Sequence, residues 1–228
     1  MAHFNLPDVV LVGPSFIRRL KSFWFPDLPL DSDIDFLHED LASQASVKGC
    51  LNRNIDKIYT ACVGINLPEH LYRSEDLIRV VTPKILVIHM GSNKLTTLER
   101  FDPVLVQTVV DQIIIFAQRM ISEFGVGKVI FPSCLARTGN LRNCSPAVFE
   151  QNRSEFNSIL HNACLGQETL IFLHLRGFDF KKVNNHNVKR DVCEWSRDGI
   201  HIDMDTHPEF MGKYWNRIKF ALLKASSA

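Results

Sequence analysis

The sequence has no Cys-x-x-Cys pair, no strong charge of either sign and no apolar run long enough to cross a bilayer. Its six cysteines, Cys50, Cys62, Cys134, Cys144, Cys164 and Cys193, are scattered without the spacing of a zinc site. Cys62 and Cys134 sit in or beside apolar runs, where a thiol behaves as a small hydrophobe. All six are read as reduced, which predicts an intracellular and cytoplasmic protein. A net charge of +1 supplies no global field that would recruit nucleic acid or an anionic membrane. The first residues show no basic segment leading into an apolar stretch, so no signal peptide is expected. No apolar run approaches the roughly 18 residues of a membrane span. No Gly-x-Gly-x-x-Gly follows an apolar run, which removes the usual dinucleotide site. A Gly-x-Ser-x-Gly elbow is excluded because Ile17 stands where its second glycine would be. Asp203, Asp205 and His207 are read as polar residues leading a helix rather than as a ligand set, so neither metal nor cofactor is expected.

What the sequence does have is a regular alternation. With 228 residues, 46% of them hydrophobic and 22% charged, the chain suits a single domain over 1–228. Five short apolar runs, Val9–Val12, Ile58–Val63, Ile85–Met90, Lys128–Phe131 and Leu170–Leu173, read as strands covered on both faces. Helical periodicity fills the gaps. Leu67–Val81 opens around Pro68. Pro103–Phe124 carries a wide stripe of Val106, Val109, Val110, Ile113, Ile114 and Ala117, and Gly125 and Gly127 end it. Ser145–Leu165 starts with Pro146 in its first turn, and Pro208–Lys224 closes the series. Phe25–Asn54 is less regular and acidic at Asp31–Asp35. Strand and helix in alternation predict an α/β fold, a parallel sheet with helices on both faces. In such sheets the functional groups gather where the strands end at their carboxyl termini.

Those ends hold suggestive residues. Gly13-Pro14-Ser15 follows the first run, Val63-Gly64-Ile65-Asn66 the second and Gly91-Ser92-Asn93-Lys94 the third. Asp198-Gly199-Ile200-His201 stands before the last helix. Taken singly, each is an ordinary turn, cap or structural histidine. Taken together, they hold the parts of an acyl-transfer site. Ser15 is the candidate nucleophile and His201 the base that would take its proton. Asp198, three residues earlier, would hold the imidazole and stabilise the imidazolium. The Ser15 and Gly64 backbone N–H groups and the Asn93 side-chain amide are candidate donors to the oxyanion.

This ordered set resembles the SGNH (GDSL-type) hydrolase family. Val81–Leu95 is similar to that family's third block in its platelet-activating-factor acetylhydrolase-like members. So is the layout of Gly127–Leu160, with its paired Asn152 and Asn157. The resemblance runs from about Val9 to Leu223. It implies a flavodoxin-like three-layer α/β/α sandwich with a five-stranded parallel sheet, and ester hydrolysis without metal or cofactor. It also implies Ser15 as nucleophile, Asp198 and His201 as the acid–base pair, and Ser15, Gly64 and Asn93 as the oxyanion hole. Two positions depart from the family pattern. Pro14 replaces the aspartate of Gly-Asp-Ser and keeps the Ser15 N–H while fixing the angle of the turn. Lys94 replaces the aspartate of Gly-x-Asn-Asp, placing a cation either toward a substrate anion or in solvent.

Two functions follow. One is a serine esterase acting on a small acyl or acetyl ester. The other is a binding module with the same fold and weak or lost catalysis; its similarity to SGNH-like domains found in proteins of animal mobile elements implies a mobile-element origin and association with nucleic acid. The Arg18–Arg19 pair and the basic loop Lys181–Arg190 bear on the second reading, and both also suit a solvated surface. Salt-dependent binding of single-stranded nucleic acid separates the two. The sequence leaves the oligomeric state open.

Overall fold

A computed structural model describes residues 9–13, 17, 19–20, 58–62, 69–137, 139, 141–176, 178, 181–183, 186–188, 199–200, 202 and 208–226. Five strands, β1 (Val9–Gly13), β2 (Ile58–Cys62), β3 (Ile85–Ile88), β4 (Lys128–Pro132) and β5 (Leu170–Leu173), make one sheet in the order β2-β1-β3-β4-β5. All its pairings are parallel. This is the flavodoxin-like order, with the topological switch at β1 and β3. β1 and β3 are buried along their whole length, as their unbroken runs of Val, Leu and Ile predict.

Five helices accompany the sheet among the described residues: α1 (Glu69–Val81), α2 (Ser92–Leu95), α3 (Pro103–Phe124), α4 (Pro146–Cys164) and α5 (Pro208–Ser226). Side chains alternate across each strand, so the sheet feeds two cores. Val10, Val12, Leu86 and Ile88 pack with α3 and α4 residues, among them Val106, Val110, Ile113, Phe149 and Phe156. Val9, Leu11, Ile85 and Val87 pack with Met211, Tyr214, Trp215 and Ile218 of α5. Helices therefore cover both faces, the three layers expected.

The helix limits follow local chemistry. The Asp102 side chain caps α3 by accepting the Leu105 N–H at 3.0 Å, Pro103 stands in the first turn, and Gly125 ends the helix at φ 69°. Ser145 caps α4 in the same way, with Pro146 behind it. By length and composition α3 could also cross a membrane. Here its stripe of Val106, Val109, Val110, Ile113 and Ala117 is buried in the core, while Val104 and Ile115 are exposed. Glu75 of α1, nearly buried, accepts from Arg119 of α3 at 2.6 Å and ties the two helices.

One expectation needs correction. Within the basic stretch read as a loop, β6 (Lys181–Val183) and β7 (His186–Val188) form an antiparallel hairpin outside the main sheet. Three-residue polar strands carry no apolar alternation, so a hydrophobicity pattern does not reveal them.

Candidate active site at the carboxyl edge of the sheet

The order β2-β1-β3 sets the carboxyl ends of these strands side by side. Gly13 ends β1 against β3, and a Cβ there would stand 2.6 Å from Ile17 Cγ1 and 2.8 Å from the His89 carbonyl oxygen. The close approach needs glycine. On β3, the His89 N–H donates to the Val12 carbonyl at 2.9 Å, which continues the pairing past the strand.

Gly91 turns the chain from β3 into α2 at φ 106°. A Cβ at this position would lie 2.6 Å from the Phe156 ring. Backbone conformation and space thus both demand glycine, and its carbonyl accepts the Lys94 N–H at 2.9 Å. The turn delivers Ser92, which is buried, and Asn93, which is half-buried. Lys94 is exposed, which answers the question raised by its charge: it stands in solvent.

Asn93 does not stand alone. Arg137, in the loop after β4 and only 4% exposed, donates from Nη2 to Asn93 Oδ1 at 2.5 Å and to Ser92 Oγ at 2.7 Å. Its guanidinium lies 5.9 Å from the centre of the Phe149 ring. The sequence reading passed over this arginine. The only sign of it is one charged residue closing the apolar stretch Cys134-Leu135-Ala136.

The loop that carries Arg137 is itself pinned by α4. The Asn157 side chain accepts the Cys134 N–H at 2.7 Å and donates to the Cys134 carbonyl at 3.1 Å. Arg153, gripped by Glu150 at 2.6 and 2.8 Å, donates to the same carbonyl at 3.0 Å. Asn152 does the equivalent for the segment before α3, accepting the Asp102 N–H at 3.1 Å and donating to the Arg100 carbonyl at 3.2 Å. The two asparagines noted in the sequence are thus loop clamps on one helix.

Beneath the site, His89 Nδ1 pairs with the Tyr214 hydroxyl of α5 at 2.6 Å. Burial and then the Arg137 charge push the His89 pKa down to about 4, against a hydrogen bond to the Ser133 backbone that raises it. The imidazole is therefore neutral at physiological pH. Burial also raises the Tyr214 hydroxyl well above its ordinary value, keeping it a neutral partner.

Of the expected site residues, Asn93 is described. Ser15, Gly64, Asp198 and His201 lie outside the described residues, as do Pro14, Arg18, Asp203, Asp205 and His207. Their described neighbours bear on the site. Ile17 and Leu20, shortly after Ser15, share one buried cluster with Ile202, next to His201. The Gly199 carbonyl, between Asp198 and His201, accepts the Gly139 N–H at 3.2 Å, two residues beyond Arg137. The chain segments flanking Ser15 and His201 thus belong to the same side of the molecule. Among the described residues no group of three His, Cys, Asp or Glu side chains could hold a metal ion.

No protein-family profile matches this sequence, and no curated protein matches it by sequence. Solved structures do match in fold. TesA superposes with a TM-score of 0.57 at 17% identity, covering 93% of this chain and 98% of its own. The chain has the SGNH-hydrolase fold. The acetyl xylan esterase AlAXEase has a TM-score of 0.55 at 16% identity, over 92% of this chain and 99% of that one. A G-D-S-L family protein from Desulfitobacterium hafniense has a TM-score of 0.54, also at 16% identity, over 93% and 99%. At these identities the likeness is one of fold, and it extends over nearly the whole of each chain.

Proposed function

We propose that this SGNH-fold chain is a serine esterase that hydrolyses a small acyl or acetyl ester. Ser15 Oγ attacks the ester carbonyl while His201 takes its proton, and Asp198 holds the imidazole and stabilises the imidazolium. The negative oxygen of the tetrahedral intermediate accepts hydrogen bonds from the Ser15 and Gly64 N–H groups and from the Asn93 amide. Collapse breaks the bond to the alcohol oxygen, which His201 protonates as it leaves. Water then attacks the acyl-serine with His201 again as base, releasing the acid and restoring Ser15.

The observation that carries this reading is the setting of Asn93 beside the end of β1. A glycine at φ 106° and a buried arginine are both committed to holding one half-buried amide at the carboxyl edge. A buried charge aimed at one polar side chain is a mark of functional sites. The structural neighbours, which include an acetyl xylan esterase, support the same class of substrate. Turnover of short-chain esters tests it. The wild-type protein hydrolyses them and Ser15→Ala reduces turnover by about 10³-fold or more. A well-folded wild-type protein that hydrolyses no acyl ester leaves a binding module on this fold instead.

A further inference from the structure

We infer that Arg137 is a positioning residue, one that locks the Asn93 amide with its N–H group turned out toward the reacting oxygen. The inference rests on the esterase reading for its catalytic consequence, but its structural half stands separately. An asparagine amide has two nearly isosteric ends, one accepting and one donating, and a half-buried amide with no fixed partner can present either. A guanidinium carries only donors. With Arg137 Nη2 at 2.5 Å, the atom facing it must be the carbonyl Oδ1, so the NH₂ group occupies the opposite side. The same nitrogen donates to Ser92 Oγ at 2.7 Å, using its two hydrogens on neighbouring residues of α2.

The arginine is held in turn. Its loop is clamped by Asn157 and Arg153 through the Cys134 backbone, and Phe149 lies against its guanidinium. A cation on the amide oxygen also draws electron density from the amide nitrogen, which makes its N–H a stronger donor. The gain is greatest when the oxygen it meets is fully negative, so the effect falls on the transition state more than on bound substrate.

The experiment is a double-mutant cycle on ester turnover, paired with NMR of the Asn93 side-chain amide, assigned by its loss in Asn93→Ala. Arg137→Gln is expected to lower kcat by about 10- to 100-fold with little change in KM, the loss of one charge-assisted hydrogen bond. Asn93→Ala is expected to cost about 10²- to 10³-fold. The double variant should be no slower than Asn93→Ala alone, because Arg137 acts through Asn93. Arg137→Lys should recover part of the rate, since an ammonium keeps the charge but not the fork. Arg153→Gln loosens the loop that carries Arg137, so its smaller loss should likewise be absorbed in the Asn93→Ala background.

In the NMR arm, the Asn93 amide protons should shift or broaden in Arg137→Gln. Losses that multiply in the cycle, or Asn93 amide signals unmoved in Arg137→Gln, overturn the inference. Should the wild-type protein hydrolyse no ester, the esterase reading fails while the NMR arm still decides whether Arg137 orients Asn93.

Discussion

The two edges of the sheet are built differently. At the amino edge, the connections into β3 and β4 are closed by backbone hydrogen bonds. The Thr82 N–H donates to the Ile78 carbonyl at 2.7 Å and the Lys128 N–H to the Lys84 carbonyl at 3.0 Å. Of the polar side chains there, Lys128 reaches out to another element, donating from Nζ to the Ala225 carbonyl of α5 at 2.8 Å. At the carboxyl edge, long polar side chains reach in from other elements. Arg137 holds α2, Asn157 and Arg153 hold the loop after β4, and His89 meets α5. Compact turns at the amino edge satisfy their own backbone groups. The loops at the other edge depend on imported partners, because buried polar groups must be paired. Such loops can be shaped for chemistry, and they depend on residues far away in the chain.

Lesions at the carboxyl edge should therefore disturb the site and stability together. The largest expected effect is that of Gly91→Ala. The substitution forces a Cβ onto Phe156 at φ 106°, combining backbone strain with overpacking. A loss of about 3 kcal/mol or more in denaturant unfolding is expected, together with displacement of the Asn93 amide signal.

Next is the pH response of His89. Its folded pKa of about 4 lies below the ordinary value of 6.5, so between these pH values the unfolded chain binds a proton that the folded chain does not. Stability should be unaffected above pH 6.5 and fall as pH drops toward 4, by on the order of 3 kcal/mol in all. Unfolding midpoints compared across that range should show this slope in the wild-type protein and its loss in His89→Gln.

Asn157→Ala removes the side-chain acceptor of the Cys134 N–H and one donor to its carbonyl, which keeps Arg153, and about 1–3 kcal/mol should be lost. Ester turnover should fall with it, since the loop also carries Arg137. The smallest effect belongs to the amino edge. In Gly127→Ala the Cβ meets the Lys84 carbonyl oxygen at 2.9 Å, which should cost about 1 kcal/mol while kcat stays within about twofold. Equal losses of turnover from Gly127→Ala and Asn157→Ala would erase the contrast between the edges.

The same contrast explains what the sequence made legible. The five strands show as apolar runs, and α3 shows its limits through Pro103 and Gly125 because both signals are local. Asn93 was findable because Gly91 stands two residues before it at the end of a strand. Arg137 was not, since its bonds to Ser92 and Asn93 span 45 and 44 residues. His89 meets Tyr214 across 125 residues, and nothing beside it announces a buried pair. Asn152 and Asn157 were visible as a pair, but their work as clamps depends on how α4 lies against two loops. Long-range polar partners leave no periodicity to read.

The central claim is that Ser15 is a nucleophile served by this edge. Its most direct test is to treat the protein with an active-site-directed fluorophosphonate and map the adduct by peptide mass spectrometry. The account predicts one adduct, on Ser15, and none in His201→Ala. Absence of any adduct on the folded protein, or modification of a different serine that tracks with loss of turnover, would contradict it.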